Sequence, residues 1–270
     1  MRIAVLIKQV PAVDTVKIDE KTGTMVRAGV EAELNPLDLH AVEAAVRIKE
    51  QIPADDIEIF AISMGPAQAK KIVSHAIALG CDGGFLLSDR RFGGADTLAT
   101  SRALAKALEK LGPFDLIFTG ERATDGETGQ VGPAVSELLG LPVLSYVSEI
   151  EKIGDGKIKV RRAIEGGHET LEAPLPCCVI PVKELNIPRL CTLGGKLRAK
   201  GTEIPVIGAD DLGIETDLLG LSGSPTQVVR VTYPKMTREG KKINATGNPE
   251  AATQEILRLL EEKNCLEAAL

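Results

Sequence analysis

Along residues 1–200, short runs rich in β-branched residues alternate with stretches whose apolar positions recur every three to four residues. The short runs predict strands, and the longer stretches predict helices. Their alternation is typical of right-handed βαβ crossovers, which build a mainly parallel sheet. The predicted strands cover residues 2–10, 57–64, 84–87, 116–120, 143–148 and 177–182, and the predicted helices cover 35–52, 66–79, 97–111 and 128–139.

The pattern changes after residue 148. Residues 150–173 predict antiparallel ribbons that turn at Gly154-Asp155-Gly156 and at Gly166-Gly167. A polar stretch at 17–27 predicts a further hairpin, and residues 249–263 predict a terminal amphipathic helix. Residues 201–247 have few apolar pairs and no period, which predicts an extended arm laid on another surface.

These elements together predict a doubly wound α/β fold. Its mainly parallel sheet carries an antiparallel ribbon, and a C-terminal extended arm ends in a helix. We expect residues 1–200 to form a nucleotide-binding α/β domain and residues 201–270 to form the arm and its helix.

Charge and cysteine content narrow the class of protein. A net charge of −6 without a basic stripe argues against nucleic-acid binding. Five cysteines without a C-x-x-C pair argue against a disulfide framework and a zinc site, and favour the reducing cytoplasm. No apolar run approaches the roughly 18 residues of a membrane-spanning helix, so we expect no membrane insertion.

A glycine-rich loop at residues 120–133 is the densest candidate site. It follows a predicted strand and opens a predicted helix, and open α/β sheets bind ligands at such places. Free N–H groups at a helix start favour a phosphate, and glycines let the backbone approach it. The alternative is an ordinary glycine-rich βα loop, because such motifs often match by chance.

A second loop, at residues 92–100, also joins a strand to a helix. Thr97 and Thr100 are three positions apart, so both hydroxyls project from one side of the first helical turn, after Asp96. They could hydrogen-bond a pyrophosphate. The alternative is that Thr97 only caps its own helix.

Motifs of common enzymes are missing. The chain has no G-x-S-x-G elbow, no Walker A lysine and no H-E-x-x-H, and His40, His75 and His168 lack metal-ligand spacing. We therefore predict no catalytic side chain and no metal site. A nucleotide site without a nucleophile is typical of a protein that positions a cofactor.

Six motifs, spread over most of the chain, resemble the β subunit of electron-transfer flavoproteins. They are Val5-Leu6-Ile7-Lys8-Gln9-Val10-Pro11, Asn35-Pro36-Leu37-Asp38, Ile62-Ser63-Met64-Gly65-Pro66-Ala67-Gln68, residues 125–133, Ile164-Glu165-Gly166-Gly167 and Asn186-Ile187-Pro188-Arg189-Leu190-Cys191-Thr192-Leu193. The resemblance implies an α/β fold and a larger α subunit that carries the electron-transferring FAD.

The resemblance also implies roles for individual residues. Leu193 corresponds to the apolar anchor that docks partner dehydrogenases. The pair Glu121-Arg122 departs from many relatives, which have other polar residues there. The implied cofactor-binding residues are the phosphate turn of Thr128, Gly129, Gln130, Val131 and Gly132, the adenine and ribose walls of Val10, Pro11, Ser63, Met64 and Gly65, and Asp96, Thr97, Thr100, Arg122 and Asp125.

The family has two branches. In one, this subunit holds a structural AMP and is an electron carrier. In the other, it holds a second FAD, which takes hydride from NADH and splits the electron pair between ferredoxin or flavodoxin and, through the α subunit, an acyl-CoA or 2-hydroxyacid type dehydrogenase. The segment Asp96-Thr97-Leu98-Ala99-Thr100 and residues 125–128 favour the FAD branch. An alternative of another class is a stand-alone nucleotide sensor of the universal-stress-protein kind, against which the long polar arm argues.

Overall fold

The computed structural model describes residues 1–12, 31–52, 56–229, 240 and 242–265; the predicted hairpin at 17–27 lies outside these residues. The chain divides into two compact units, Met1–Arg230 and Val231–Leu270.

The first unit is built on a nine-stranded sheet. The described strands are β1 (Arg2–Leu6), β2 (Gln9–Pro11), β3 (Ala32–Leu34), β4 (Glu58–Met64), β5 (Gly83–Leu87), β6 (Leu116–Thr119), β7 (Val143–Gly154), β8 (Lys157–Ile164), β9 (Gly167–Pro174), β10 (Cys177–Pro181) and β11 (Val206–Ile207). The sheet has the order β11-β5-β4-β1-β6-β10-β7-β8-β9, and β2 and β3 form a separate antiparallel pair. The pairings from β11 to β7 are parallel, whereas β7, β8 and β9 pair antiparallel.

Helices cover both faces of the parallel strands. The described helices are α1 (Pro36–Gln51), α2 (Lys70–Leu79), α3 (Thr97–Leu111), α4 (Val131–Leu138), α5 (Leu193–Gly201), α6 (Ala209–Leu212) and α7 (Pro249–Glu262). Helices α1 and α2 contribute to one apolar cluster, and α3 and α4 contribute to a second. The predicted doubly wound α/β fold, with its antiparallel ribbon, is therefore confirmed.

The central strands are apolar on both sides, as parallel strands covered by helices must be. In β1, Ile3 and Val5 belong to one cluster, and Ala4 and Leu6 belong to the other. Cys177 and Cys178 likewise fall in different clusters, because successive side chains of a strand point to opposite faces.

Several element bounds differ from the sequence prediction, including three that lie near the candidate site or the ribbon. β1 ends at Leu6, and Gln9–Pro11 leaves the main sheet to pair with Ala32–Leu34. α4 begins at Val131, so Thr128 lies in the loop before it. β7 runs on from the parallel sheet into the ribbon, and shifts of register between Val147 and Lys152 allow this change.

Residues 201–229, which the sequence assigned to the arm, lie in the first unit. β11 pairs with β5, and the buried Ile207, Leu212 and Leu219 join the cluster that contains α3. Arg91 connects this region to the preceding part of the unit. Its Nη1 lies 2.7 Å from Asp210 Oδ1 of α6, and its Nη2 lies 2.7 Å from Asp89 Oδ2. A two-residue strand and a four-residue helix are too short to give a periodic signal.

The second unit contains α7, which confirms the predicted terminal helix. Asn248 caps it by accepting a hydrogen bond from the Ala251 N–H at 3.0 Å, and Pro249 occupies the first turn. Among the described residues, none of the helices has the length and apolar content to cross a membrane.

Candidate functional site

The sheet order defines a crevice at the carboxyl ends of β1 and β6. The chain leaves β1 towards β4 and β5 on one side, and β6 begins the part of the sheet on the other side. Open α/β sheets bind ligands at such a switch point, because the loops on its two sides turn in opposite directions. The loop at 120–130 leaves β6 at this point.

The start of α1 fixes that loop. Asn35 is buried, and its side-chain amide donates to the Arg122 carbonyl oxygen at 2.9 Å. The Thr124 N–H donates to Asn35 Oδ1 at 3.2 Å. The loop backbone is thus held at two places by one amide.

Asp38, one turn further along α1, is buried beneath the same loop. Its carboxylate accepts hydrogen bonds from the Lys8 N–H at 2.6 Å and from Asn35 Nδ2 at 2.7 Å. Burial raises the pKa of Asp38 to about 7, although both hydrogen bonds oppose this rise. A Cβ on Gly120 would overlap Asp38 Oδ1, so glycine is required there.

Sequence reasoning named neither Asn35 nor Asp38 as a site residue. The available signal was the motif Asn35-Pro36-Leu37-Asp38, which the resemblance already contained.

Ion pairs hold the charged side chains of the loop. Lys8 Nζ lies 2.6 Å from Asp125 Oδ1 and joins the end of β1 to the loop. Arg122 pairs with the neighbouring Glu121. Asp125 and Arg122, both predicted cofactor ligands, are therefore at the crevice but already have partners within the chain.

Glycines shape the entry to α4. Gly129 has a φ of +61°, which side-chain-bearing residues rarely adopt. A Cβ on Gly132 would lie 2.6 Å from Thr119 Oγ1 and 2.7 Å from Ile180 Cδ1, so α4 packs directly on the sheet. The first N–H groups of α4, from Val131 onward, have no acceptor within the helix, as at the start of any α-helix.

Asp96, not Thr97, caps α3. Its carboxylate accepts hydrogen bonds from the Leu98 and Ala99 N–H groups at 3.0 Å, and from Thr226 Oγ1 at 2.8 Å. The hydroxyls of Thr97 and Thr100 have no hydrogen-bond partner in the described part of the chain.

The starts of α3 and α4 adjoin. Ser101 Oγ donates to the Thr97 carbonyl oxygen at 2.6 Å and lies 3.5 Å from the Val131 carbonyl oxygen. The positive ends of two helix dipoles thus lie together at one edge of the sheet. This arrangement suits an anion.

The remaining predicted ligands lie at strand ends. Ser63 is buried, and its Oγ has no hydrogen-bond partner among the described residues. Met64 and Gly65 are half-buried at the end of β4, while Val10 and Pro11 lie in β2. Unpaired hydroxyls, glycines and two helix starts at one edge fit the phosphates and ribose of a nucleotide.

Leu193 lies elsewhere in the first unit. It begins α5, is 76% exposed, and follows the capping residue Thr192. A Cβ on Gly195 would overlap the carbonyl oxygen of Ala78, so α5 begins against the last turn of α2. Leu193 is therefore near the amino edge of the sheet, opposite the nucleotide loops.

A family model described as "Electron transfer flavoprotein domain" matches residues 22–212. The chain belongs to the electron-transfer flavoprotein family. "Electron transfer flavoprotein subunit beta" of Thermoanaerobacterium thermosaccharolyticum is 42% identical over 267 residues, which cover 98% of this chain and 100% of that protein. The predicted family is thus confirmed.

Two further relatives of this chain have names that mention a reductase. "Caffeyl-CoA reductase-Etf complex subunit CarD" of Acetobacterium woodii is 44% identical over 262 residues, covering 97% of this chain and 99% of that protein. "Acryloyl-CoA reductase electron transfer subunit gamma" of Anaerotignum propionicum is 34% identical over 273 residues, covering 98% and 100%.

Proposed function

We propose that this chain is the β subunit of a heterodimeric, electron-bifurcating electron-transfer flavoprotein. Its nucleotide site holds an FAD that accepts hydride from NADH. One electron leaves for ferredoxin or flavodoxin, and the other passes through the FAD of the α subunit to an acyl-CoA or 2-hydroxyacid type dehydrogenase. The protein supplies position and charge, while the flavin supplies the redox chemistry that no side chain here provides.

The adjoining starts of α3 and α4 are the observation that carries this proposal. A pyrophosphate bears more negative charge than the single phosphate of AMP and can engage both helix starts at once. The hydroxyls of Thr97 and Thr100, which have no hydrogen-bond partner among the described residues, supply further donors on the α3 side. We assign the α4 side to Thr128 and the backbone N–H groups of residues 129–132.

The names of the relatives support the choice of partner. One of those proteins is named for a caffeyl-CoA reductase complex, and the other for acryloyl-CoA reductase. Both names contain an acyl-CoA substrate, so we place an acyl-CoA dehydrogenase first among the electron acceptors of this protein.

Counting nucleotides tests the proposal. The protein is purified with its α subunit and denatured, and the released nucleotides are identified and quantified. We expect about two FAD and no AMP per heterodimer, because each subunit then holds one flavin. About one FAD with one AMP would leave the family role intact and refute bifurcation. A stable monomer that binds ATP would instead select the nucleotide sensor.

Docking is tested separately by Leu193→Ala. Truncating a buried interface anchor commonly costs about 2 kcal/mol, so we expect the KM for an acyl-CoA dehydrogenase to rise by roughly thirtyfold. FAD content should not change. Val229→Ala, at a residue that is 95% exposed, is the control for loss of a surface apolar side chain. Loss of FAD from the Leu193 variant would mean that the residue is structural.

A further inference from the structure

Residues 186–193, the docking segment, expose three large apolar side chains. Ile187 is 83% exposed, Leu190 is 90% exposed, and Leu193 is 76% exposed. Residues 186–191 lie in neither a helix nor a strand. The shape in which the segment presents these side chains must therefore be set by what holds its backbone.

Glu43 of α1 holds the middle of the segment. Its side chain is only 4% exposed. Its carboxylate accepts hydrogen bonds from Arg189 Nε at 2.7 Å and from the Arg189 backbone N–H at 3.2 Å. Arg47 Nε donates to the same carboxylate at 2.6 Å. One buried carboxylate thus binds both the side chain and the main chain of the segment.

Three other residues of α1 extend this contact along one stripe of the helix. Arg189 Nη1 donates to Glu50 Oε1 at 2.6 Å, and Arg47 Nη2 donates to the Ile187 carbonyl oxygen at 3.3 Å. The Asn186 side-chain amide donates to the His40 carbonyl oxygen at 2.9 Å. These helix positions are three or four apart, so they face the segment together.

The network is more than a surface ion pair. Exposed pairs contribute little to stability, whereas removing one partner of a buried pair leaves an uncompensated charge. Burial by itself would raise the pKa of Glu43, but hydrogen bonds from Arg189 and Arg47 hold it below its usual value. Glu43 is therefore a buried anion that depends on the two arginines, whose own side chains are partly exposed.

We propose that Glu43, through Arg189 and with Glu50, is the positioning residue that fixes the docking segment in the shape that an acyl-CoA dehydrogenase recognises. This inference rests on the proposed function. In this role Glu43 acts through the contacts it makes with Arg189 within the chain. It lowers the cost of docking, because a pre-ordered loop loses less conformational entropy on binding.

Glu43→Gln in the complete heterodimer tests this inference. Glutamine keeps the size of the side chain and removes its charge. We expect the KM for an acyl-CoA dehydrogenase to rise roughly tenfold with kcat little changed, since chemistry is untouched once the complex forms. Hydrogen exchange of residues 186–192 should accelerate, and NADH reduction of bound flavin should stay at the level of the unmodified protein.

Two variants keep the test decisive if Glu43→Gln does not fold. Glu50→Gln removes the more exposed carboxylate and should raise KM in the same direction, by less. Arg189→Lys keeps the charge but loses the paired hydrogen bonds, so it should resemble Glu43→Gln. Glu109→Gln, which breaks an exposed pair with Lys106 on α3, is the matched control for loss of one helix carboxylate.

The possible outcomes separate the two proposals. Unchanged hydrogen exchange in all three network variants would overturn the positioning role. Faster exchange with an unchanged KM would show that the segment is anchored but that its shape does not matter for docking, which also overturns it. An unmodified heterodimer that passes no electrons to an acyl-CoA dehydrogenase would refute the proposed function, whatever the exchange data show.

Discussion

Single residues bring distant parts of the chain to the crevice. Asp38 and Asn35 lie in or beside the first turn of α1, yet they bind the backbone of Lys8, Arg122 and Thr124. A buried carboxyl beneath a ligand loop is costly as an anion, which explains its raised pKa. The charge of Asp38 therefore depends on pH near neutrality.

Asp38 predicts a pH-dependent stability. Its pKa is raised from 3.8 to about 7 in the folded state, so the folded state binds a proton that the unfolded state releases. The stability that the raised pKa of Asp38 contributes is fully present below the unfolded-state pKa of 3.8, and it is lost as the pH rises through about 7. We expect Asp38→Asn to flatten the fall in Tm of the heterodimer between roughly pH 5 and roughly pH 8.

Asp155→Asn is the control for this measurement, because that residue lies in an exposed turn whose positive φ asparagine also accepts. Its Tm profile should follow that of the unmodified protein. An Asp38→Asn profile as steep as the unmodified one would show that other groups cause the pH dependence.

Gly129 predicts selective loss of one nucleotide. Valine at a φ of +61° strains the turn and crowds the approach of a phosphate, so Gly129→Val should release the FAD of this subunit before that of the α subunit. Reduction of the bound flavin by NADH should fall as that FAD is lost. The measurement is the flavin content together with NADH reduction of the flavin that remains.

Gly140→Val imposes the same backbone strain away from the crevice. Gly140 has a φ of +64°, and a Cβ added there would meet no other atom within 4 Å. If both variants lose both flavins together, the turn at Gly129 is structural. Retention of both flavins with full NADH reactivity in Gly129→Val would refute the assignment.

At the scale of elements, three helices determine the geometry of the two sites. The starts of α3 and α4 adjoin at the carboxyl edge. The N-cap residue Asn35 of α1 binds the loop at 120–130, and His40, Glu43 and Glu50 within the helix bind the docking segment. One 16-residue helix therefore supports both surfaces of the subunit.

Removing the hydroxyls at the start of α3 tests that element. Thr97→Val and Thr100→Val keep the shape of the side chains. Hydrogen bonds to charged groups contribute about 1.5 to 3 kcal/mol, so each change should weaken retention of FAD in this subunit by roughly tenfold or more. Dialysis followed by flavin counting measures this.

Thr202→Val serves as the control, because the Thr202 hydroxyl bonds the Arg198 carbonyl oxygen at the end of α5. It should lose no FAD. If the Thr97 and Thr100 variants retain FAD as well as the unmodified protein does, the phosphates are bound by the α4 side alone.

At the scale of the whole molecule, the two units differ in how much they bury. The first has apolar clusters on both faces of its sheet. In the described residues of the second, Ala252 is the only buried one, and Ile256, Leu257 and Leu260 of α7 are exposed. So little buried surface cannot offset roughly 1 to 2 kcal/mol per residue of backbone ordering.

We therefore expect the described residues 242–265 of this unit to be ordered against the α subunit. Limited trypsin treatment of the separated β subunit should cut at Lys242, Arg258 or Lys263, whereas the heterodimer should be spared there. Cleavage after Lys106 on α3, within the first unit, is the internal control and should be slow in both. Equal protection of the second unit in both samples would contradict this expectation.

The sequence by itself determined the alternation of strands and helices, the ribbon and the loops at the crevice. These features follow from local signals: β-branched runs, amphipathic periods, and glycines at turns. Thr97 and Gly129 could be named as candidates because each lies where a strand-to-helix loop must lie in such a fold. The family resemblance rested on six motifs spread over most of the chain, one of which, residues 125–133, lies in these loops.

Only the tertiary structure decided which side chains hold those loops in place. Asn35 reaches a backbone 87 residues away, and Glu43 binds an arginine 146 residues away. No periodic pattern encodes such pairs, because a buried polar contact depends on how separate elements pack. For the same reason, the sequence did not show that β11 belongs to the first unit. That assignment depends on the edge of β5, with which β11 pairs.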